Sequence, residues 1–175
     1  MAESKKQDAI ALLKDDHRAV EKLFSDFESA KGDGRKQTLA RRICLELTVH
    51  TMIEEEIFYP ACEGKIDEDL LKEAYVEHDA AKLLIAEIEA GDGKGDDFFD
   101  AKVQVLGEQI EHHVQEEEKE LFPKVRKAEV DLDALGERLA ARKRELLKRF
   151  KAEGVPEPEL TTMDEVSVYR SAAIV

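Results

Sequence analysis

The chain has no tryptophan, only two cysteines and only four prolines among its 175 residues. So few prolines leave room for long uninterrupted helices. If Cys44 and Cys62 lie on one helix they are about 27 Å apart at the helical rise. A disulfide tolerates about 7 Å, so both read as free thiols of a reducing compartment. No stretch approaches the roughly 18 apolar residues of a membrane span, and Met1–Asp8 is polar, without the apolar core of a signal peptide. A cytoplasmic location is the resulting expectation. Basic residues are also in deficit, 27 Lys and Arg against 41 Asp and Glu, a net charge of -14. That balance lacks the basic footprint of general nucleic-acid binding and favours a soluble, self-repelling protein. What is plentiful is a mixture of 42% hydrophobic and 39% charged residues, which suits amphipathic helices.

One pattern is carried twice. His50-Thr-Met-Ile-Glu54-Glu-Glu-Ile-Phe-Tyr-Pro60 and His113-Val-Gln-Glu-Glu117-Glu-Lys-Glu-Leu-Phe-Pro123 are offset by 63 residues throughout. On a helix, i and i+4 share a face. Each copy therefore presents an imidazole beside a carboxylate, ligand types that iron and zinc take from proteins.

Both copies sit inside longer stripes. Ile10, Leu13, His17, Val20, Phe24 and Phe27 step by three and four along residues 7–30, before Gly32-Asp-Gly34. Leu39, Ile43, Leu47, His50, Glu54 and Phe58 form a second stripe, expected to end near Pro60. Asp67 is a candidate N-cap for the third, Leu71, Ala74, His78, Ala81, Ile85 and Ile88, which ends at the turn Gly91–Gly95. Phe99, Val103, Leu106, Ile110, His113, Glu117 and Leu121 make the fourth, with Pro123 ending it or letting it run one more turn. Four such helices joined by short loops predict an all-α protein, an antiparallel four-helix bundle. A fifth helical segment, about 131–152, carries Leu132, Leu135, Leu139, Leu146 and Phe150 with a basic run between them, and is expected to pack on the bundle with that face solvated. Beyond Gly154 an extended tail follows, with Met163, Val166 and Tyr169 available to dock on the bundle or on a second subunit of a homo-oligomer.

The two halves match as hairpins, each supplying His from its first helix and His plus Glu from its second. A lone His on an apolar face is more often a hydrogen-bonded core residue than a ligand. A buried Glu without a cation is costly. Six polar residues at core positions of four helices, arranged with internal symmetry, favour metal: two ions, with the carboxylates between them.

His17, His50-xxx-Glu54, His78 and His113-xxx-Glu117, with Phe-Tyr-Pro and Leu-Phe-Pro after the two Glu, resemble the hemerythrin-like family of HHE cation-binding domains over about residues 8–128. The remainder, 129–175, is then a C-terminal helix and tail. The resemblance implies an up-down-up-down bundle around two iron ions bridged by two carboxylates and a solvent-derived oxygen species. His17 and His50 would hold one iron, His78 and His113 the other, and Glu54 and Glu117 would bridge. Oxygen-carrying members have a further His one turn before the equivalent of His78. Here that position is Ala74, which cannot ligate, so water or an exogenous ligand fills the place, or a neighbour reaches it, Tyr75 in preference to Glu73.

Adjacent His112 and His113 point about 100° apart, and the stripe selects His113. Glu55 and Glu118 rotate off the inner face and read as solvated charges. Glu46 and Gln109, one turn before the two motif His, are candidate partners for an imidazole N–H. No HExxH motif, Ser/His/Asp set or glycine-rich phosphate loop is present. The small molecules that suit such a site are dioxygen, peroxide and nitric oxide. Three functions stay open: dioxygen or peroxide handling, including catalase-like disproportionation; a non-catalytic sensor of oxygen, nitric oxide or iron that signals through the C-terminal segment; and a storage or structural metal site.

Overall fold

The structure is a computed structural model that describes residues 7–91 and 94–163. Helix α1 (Ala9–Ser29) begins at Asp8, whose carboxylate accepts the Ala11 N–H at 2.8 Å. α2 (Asp33–Ile53) follows Gly32, whose φ of +88° is a turn geometry that L side chains rarely adopt. α2 passes through a π turn, Glu54–Phe58, into α3 (Tyr59–Cys62). Asp67 caps α4 (Glu68–Ala90) by accepting the Asp69 N–H. α5 (Phe99–Glu116) passes through a second π turn, Glu117–Leu121, into α6 (Phe122–Lys127). α7 (Leu132–Glu153) completes the order, capped by Asp131. The described residues contain no strand. Four rods, α1, α2–α3, α4 and α5–α6, form a helical bundle, with α7 as the additional C-terminal helix.

The second rod ends near Pro60 as expected, at Cys62, and the fourth runs past Pro123 for one more turn, to Lys127. A proline ring in an α-helix collides with the carbonyl four residues back. Here a π turn precedes each proline and widens the backbone where the ring must fit. Cys44 and Cys62 lie on this one rod, both buried and both free thiols.

The core has two apolar blocks. In one, Ile10, Leu13, Ile53, Phe58 and Phe122 pack with Leu135, Leu139, Leu146 and Phe150 of α7. In the other, Val20, Phe27, Ile43, Leu47 and Ile85 pack with Val103 and Leu106. Along α1 the sequence passes from Leu13 to Val20 through Asp16 and His17, so a buried polar layer lies between the blocks. Beyond α7 the chain runs without helix or strand across α4 as far as Met163, whose N–H reaches Asp79 at 3.0 Å. Val166 and Tyr169 lie outside the described residues. No helix among the described residues is long and apolar enough to cross a membrane.

Candidate metal centre

The polar layer is built from His17 of α1, His50 of α2, His78 of α4, His113 of α5, and Glu54 and Glu117, which open the two π turns. All six are buried. Each imidazole meets a carboxylate through Nδ1. His17 is 2.8 Å from Glu118, His50 3.5 Å from Asp16, His78 3.0 Å from Glu55 and His113 2.6 Å from Glu77. A carboxylate at Nδ1 favours the tautomer with its proton there, which leaves the Nε2 lone pair free to ligate.

The Nε2 atoms face the two inner carboxylates. Glu54 divides its oxygens between the halves, Oε1 lying 3.3 Å from His50 Nε2 and Oε2 3.4 Å from His78 Nε2. Glu117 Oε2 lies 3.2 Å from His17 Nε2 and 3.6 Å from His113 Nε2. His17 Nε2, His50 Nε2, both oxygens of Glu54 and Glu117 Oε2 are buried without a hydrogen-bond partner. Such an atom costs about 1–3 kcal/mol unless a cation or a proton on the facing imidazole meets it, and one group of cations satisfies them together. The candidate atoms fall into two sets, His17 with His50, Glu54 and Glu117, and Glu54 with His78 and His113, each set within 4.8 Å. Imidazole and carboxylate suit iron or zinc, so the residues fit a metal pair.

Without a cation the layer holds protons instead. Burial opposes a charge on His50, but the carboxylates of Glu54 and Asp16 outweigh it and hold its pKa up at about 10. His78 is raised to about 9 in the same way, by Glu54 and Glu55 against burial. Burial likewise resists the charge on Glu54, and His50 and His78 pull its pKa well below the usual carboxylate range.

Ala74 is buried in the apolar block, and neither of its neighbours occupies the space at the centre. Glu73 is exposed, and Tyr75 is half-buried with its ring against Tyr59 at 5.2 Å. Tyr59 is the residue that reaches in. Its hydroxyl donates to Glu117 Oε1 at 2.8 Å and lies 3.2 Å from His78 Nε2. Burial and the charges of Glu117 and Glu54 push its pKa well above 10.0, so in the metal-free protein it is a neutral donor. The π turn explains the substitution of residues. Tyr59 donates its backbone N–H to Glu54 O, a five-residue step, so the face that α periodicity gives to Phe58 belongs to Tyr59.

The imidazole partners are not the residues expected from the spacing. Glu46 pairs with Arg42, and Gln109 is exposed. Glu55 and Glu118, expected to be solvated, are bonded to His78 and His17, with Asp16 and Glu77 completing the set. A signal was present in the repeat: an acidic residue precedes each first-helix His and follows each inner Glu. These carboxylates are anchored in turn, Asp16 by Lys143, Glu118 by Arg18 and Glu55 by Lys82. His113 faces the centre, whereas His112 is 65% exposed, between Glu77 and Glu116.

A helical bundle enclosing buried imidazoles and carboxylates that can hold metal is a cation-binding protein by fold and site. The chain belongs to the hemerythrin family: residues 8–125 match the hemerythrin HHE cation binding domain. Among solved structures it is similar to a hemerythrin HHE cation binding domain-containing protein of Mycobacterium kansasii, with a TM-score of 0.72 and 22% identity over 85% of this chain and 95% of that one. Among curated proteins it is 31% identical over 120 residues to a protein of Nostoc sp. (strain PCC 7120 / SAG 25.82 / UTEX 2576) named DNA nickase. That match covers 69% of this chain and spans 33% of the length of the Nostoc protein.

Proposed function

We propose that the chain is a non-haem di-iron protein that binds or turns over dioxygen or peroxide, with His17 and His50 holding one iron, His78 and His113 the other, and Glu54 and Glu117 between them. The observation that supports this most is Glu54, fully buried, with each unpartnered oxygen turned to an imidazole of a different half. Bound iron would supply a redox couple and open positions for a small ligand. The chain supplies the rest. Asp16, Glu55, Glu77 and Glu118 hold the imidazoles in the ligating tautomer, and the Tyr59 hydroxyl keeps a proton at Glu117 Oε1. An inner cavity of about 20 Å³, bounded by the four imidazoles, Val20 and Leu47, has room for about one water-sized molecule and few polar atoms to hold water in bulk.

Metal analysis with an optical spectrum before and after peroxide tests the reading. Two irons per chain and consumption of added peroxide are the expected result. Zinc in the purified protein, or two irons with no response to peroxide or dioxygen, would leave a structural or storage site. A sensor is distinguished by ligand binding without turnover; Thr161, which donates to Glu55 at 3.1 Å, gives it a path from His78 to the C-terminal segment. Nicking of DNA is not carried over from the Nostoc protein, because a net charge of -14 repels the phosphate backbone.

A further inference from the structure

A second cavity, of about 780 Å³, lies on the outer side of α2 and α4, and the stretch 155–161 forms part of its wall. Met52, Ile85 and Leu160 line an apolar part of it, and charged side chains, among them Glu55, Lys82 and Arg149, line the rest. Thr51 lines both this cavity and the inner one bounded by the four imidazoles. The residue that borders both spaces therefore follows His50 directly in sequence, and its side chain is only three heavy atoms in size.

The covering stretch is tied down at defined points. Asp79, fully buried, accepts the backbone N–H groups of Thr161 (2.9 Å), Thr162 (2.5 Å) and Met163 (3.0 Å) and the Thr162 hydroxyl (2.7 Å). Successive backbone N–H groups turned on one anion make a compact clamp. Lys82 adds a bond to the Glu159 carbonyl at 2.9 Å while pairing with Glu55 and Asp79. Stretch 155–163 itself contributes Val155 to the apolar block of Val20 and Leu106, and Met163 is exposed, so the attachment seen at its far end is this polar clamp.

We propose that the outer cavity is the way in to the metal centre for small uncharged molecules, with Thr51 as its inner gate and stretch 155–163, clamped by Asp79 and Lys82, as its lid. The apolar wall concentrates weakly polar solutes such as a neutral diatomic gas or peroxide. The inner space of about 20 Å³ rejects anything larger. The proposal rests on the metal-centre reading above, and the test separates the two.

The full chain is loaded with iron, and nitric oxide is the probe, followed by stopped-flow absorbance. A gate lies on the path in both directions, so it changes association and dissociation by one factor and leaves affinity alone, whereas damage to the ligands changes affinity. Thr51→Leu is expected to slow both rates by about tenfold, a barrier increase of about 1.4 kcal/mol, and Thr51→Ser to speed both. Asp79→Asn is expected to speed both and, in the metal-free protein, to accelerate hydrogen exchange at Thr161, Thr162 and Met163. If Thr51→Leu does not fold, the Ser and Asn variants carry the test. Rates unchanged by Thr51→Ser and Asp79→Asn overturn the route. So does slowing by Ile110→Phe in place of Thr51→Leu, which would put the path beside α5. A wild-type protein that binds iron but gives no nitric oxide signal overturns the route and leaves the metal set standing; one that takes up no iron overturns the centre itself.

Discussion

Tyr59 and Phe122 occupy equivalent places in the two halves, each directly after a π turn, and each ring stacks on the first-helix His of the other half. Tyr59 lies on His78 at 5.4 Å and Phe122 on His17 at 5.8 Å. The halves thus differ at this position by one hydroxyl, which sits in hydrogen-bond contact with Glu117 and His78. Tyr59→Phe should keep the fold, because Phe122 already fills the matching site. It should destabilise the metal-free protein by about 1–3 kcal/mol, the cost of leaving Glu117 Oε1 buried without its donor, measured by urea unfolding. The partner carboxylates make a sharper case. Glu77→Gln should weaken metal binding by about 10–100-fold in a competition titration. Glu46→Gln and Gln109→Ala, on the positions first expected to serve His50 and His113, should leave it unchanged. Protons give the third measurement at this scale. His50 and His78, with pKa values of about 10 and about 9 in the metal-free protein, must lose their protons to ligate. At pH 8 metal uptake should release both, and affinity should climb by up to about a hundredfold per pH unit, flattening above pH 10. The sign for folding is opposite. A raised His pKa contributes stability that is fully present below the unfolded value of about 6.5 and is lost as pH rises through 9 to 10, so the metal-free protein should weaken between about pH 6.5 and 10 while the loaded one, whose ligating imidazoles are already unprotonated, should change little.

At the scale of elements, the four stripes and the six inner residues were legible because helical spacing is regular and polar residues at core positions stand out against it. The π turns were not. Nothing in Glu54–Phe58 or Glu117–Leu121 announces a five-residue step, and that single extra residue turns Tyr59 to the centre. The imidazole partners were hidden for a related reason. Residues next to the inner His and Glu point away from the centre but toward a neighbouring helix, a contact that one helix considered alone cannot reveal. The seating of α7 is likewise tertiary. A Cβ placed on Gly136 would lie 2.3 Å from the Gln7 carbonyl oxygen and 2.9 Å from the Ala9 nitrogen, both backbone atoms that cannot swing aside. In an exposed helix Gly→Ala stabilises by about 1 kcal/mol. Gly136→Ala should instead destabilise this protein, by about 1–3 kcal/mol as overpacking does, in thermal or urea unfolding. A stabilising result would mean that α7 does not lie against the start of α1.

For the whole molecule, the polar layer is both the weakest plane and the one that metal closes. It lies between two apolar blocks, and in the metal-free state it holds raised imidazoles against a depressed carboxylate, all of them buried. Each block draws on several rods, so the helices can keep their secondary structure while packing at the layer loosens. Cations bound there would oppose the carboxylates, satisfy the free Nε2 atoms and fix the rods relative to one another. Binding to the folded state alone stabilises by about 4 kcal/mol when free metal is a thousand times its dissociation constant. For a chain of this size 1 kcal/mol moves the midpoint by about 2–4 °C, so loading should raise Tm by about 8–16 °C in calorimetry. The same comparison for Glu54→Ala should collapse most of that difference, because this side chain faces both His pairs and its loss affects both positions. If the variant kept the full metal-dependent increase, the two halves would be binding independently, and the layer would not be a single centre.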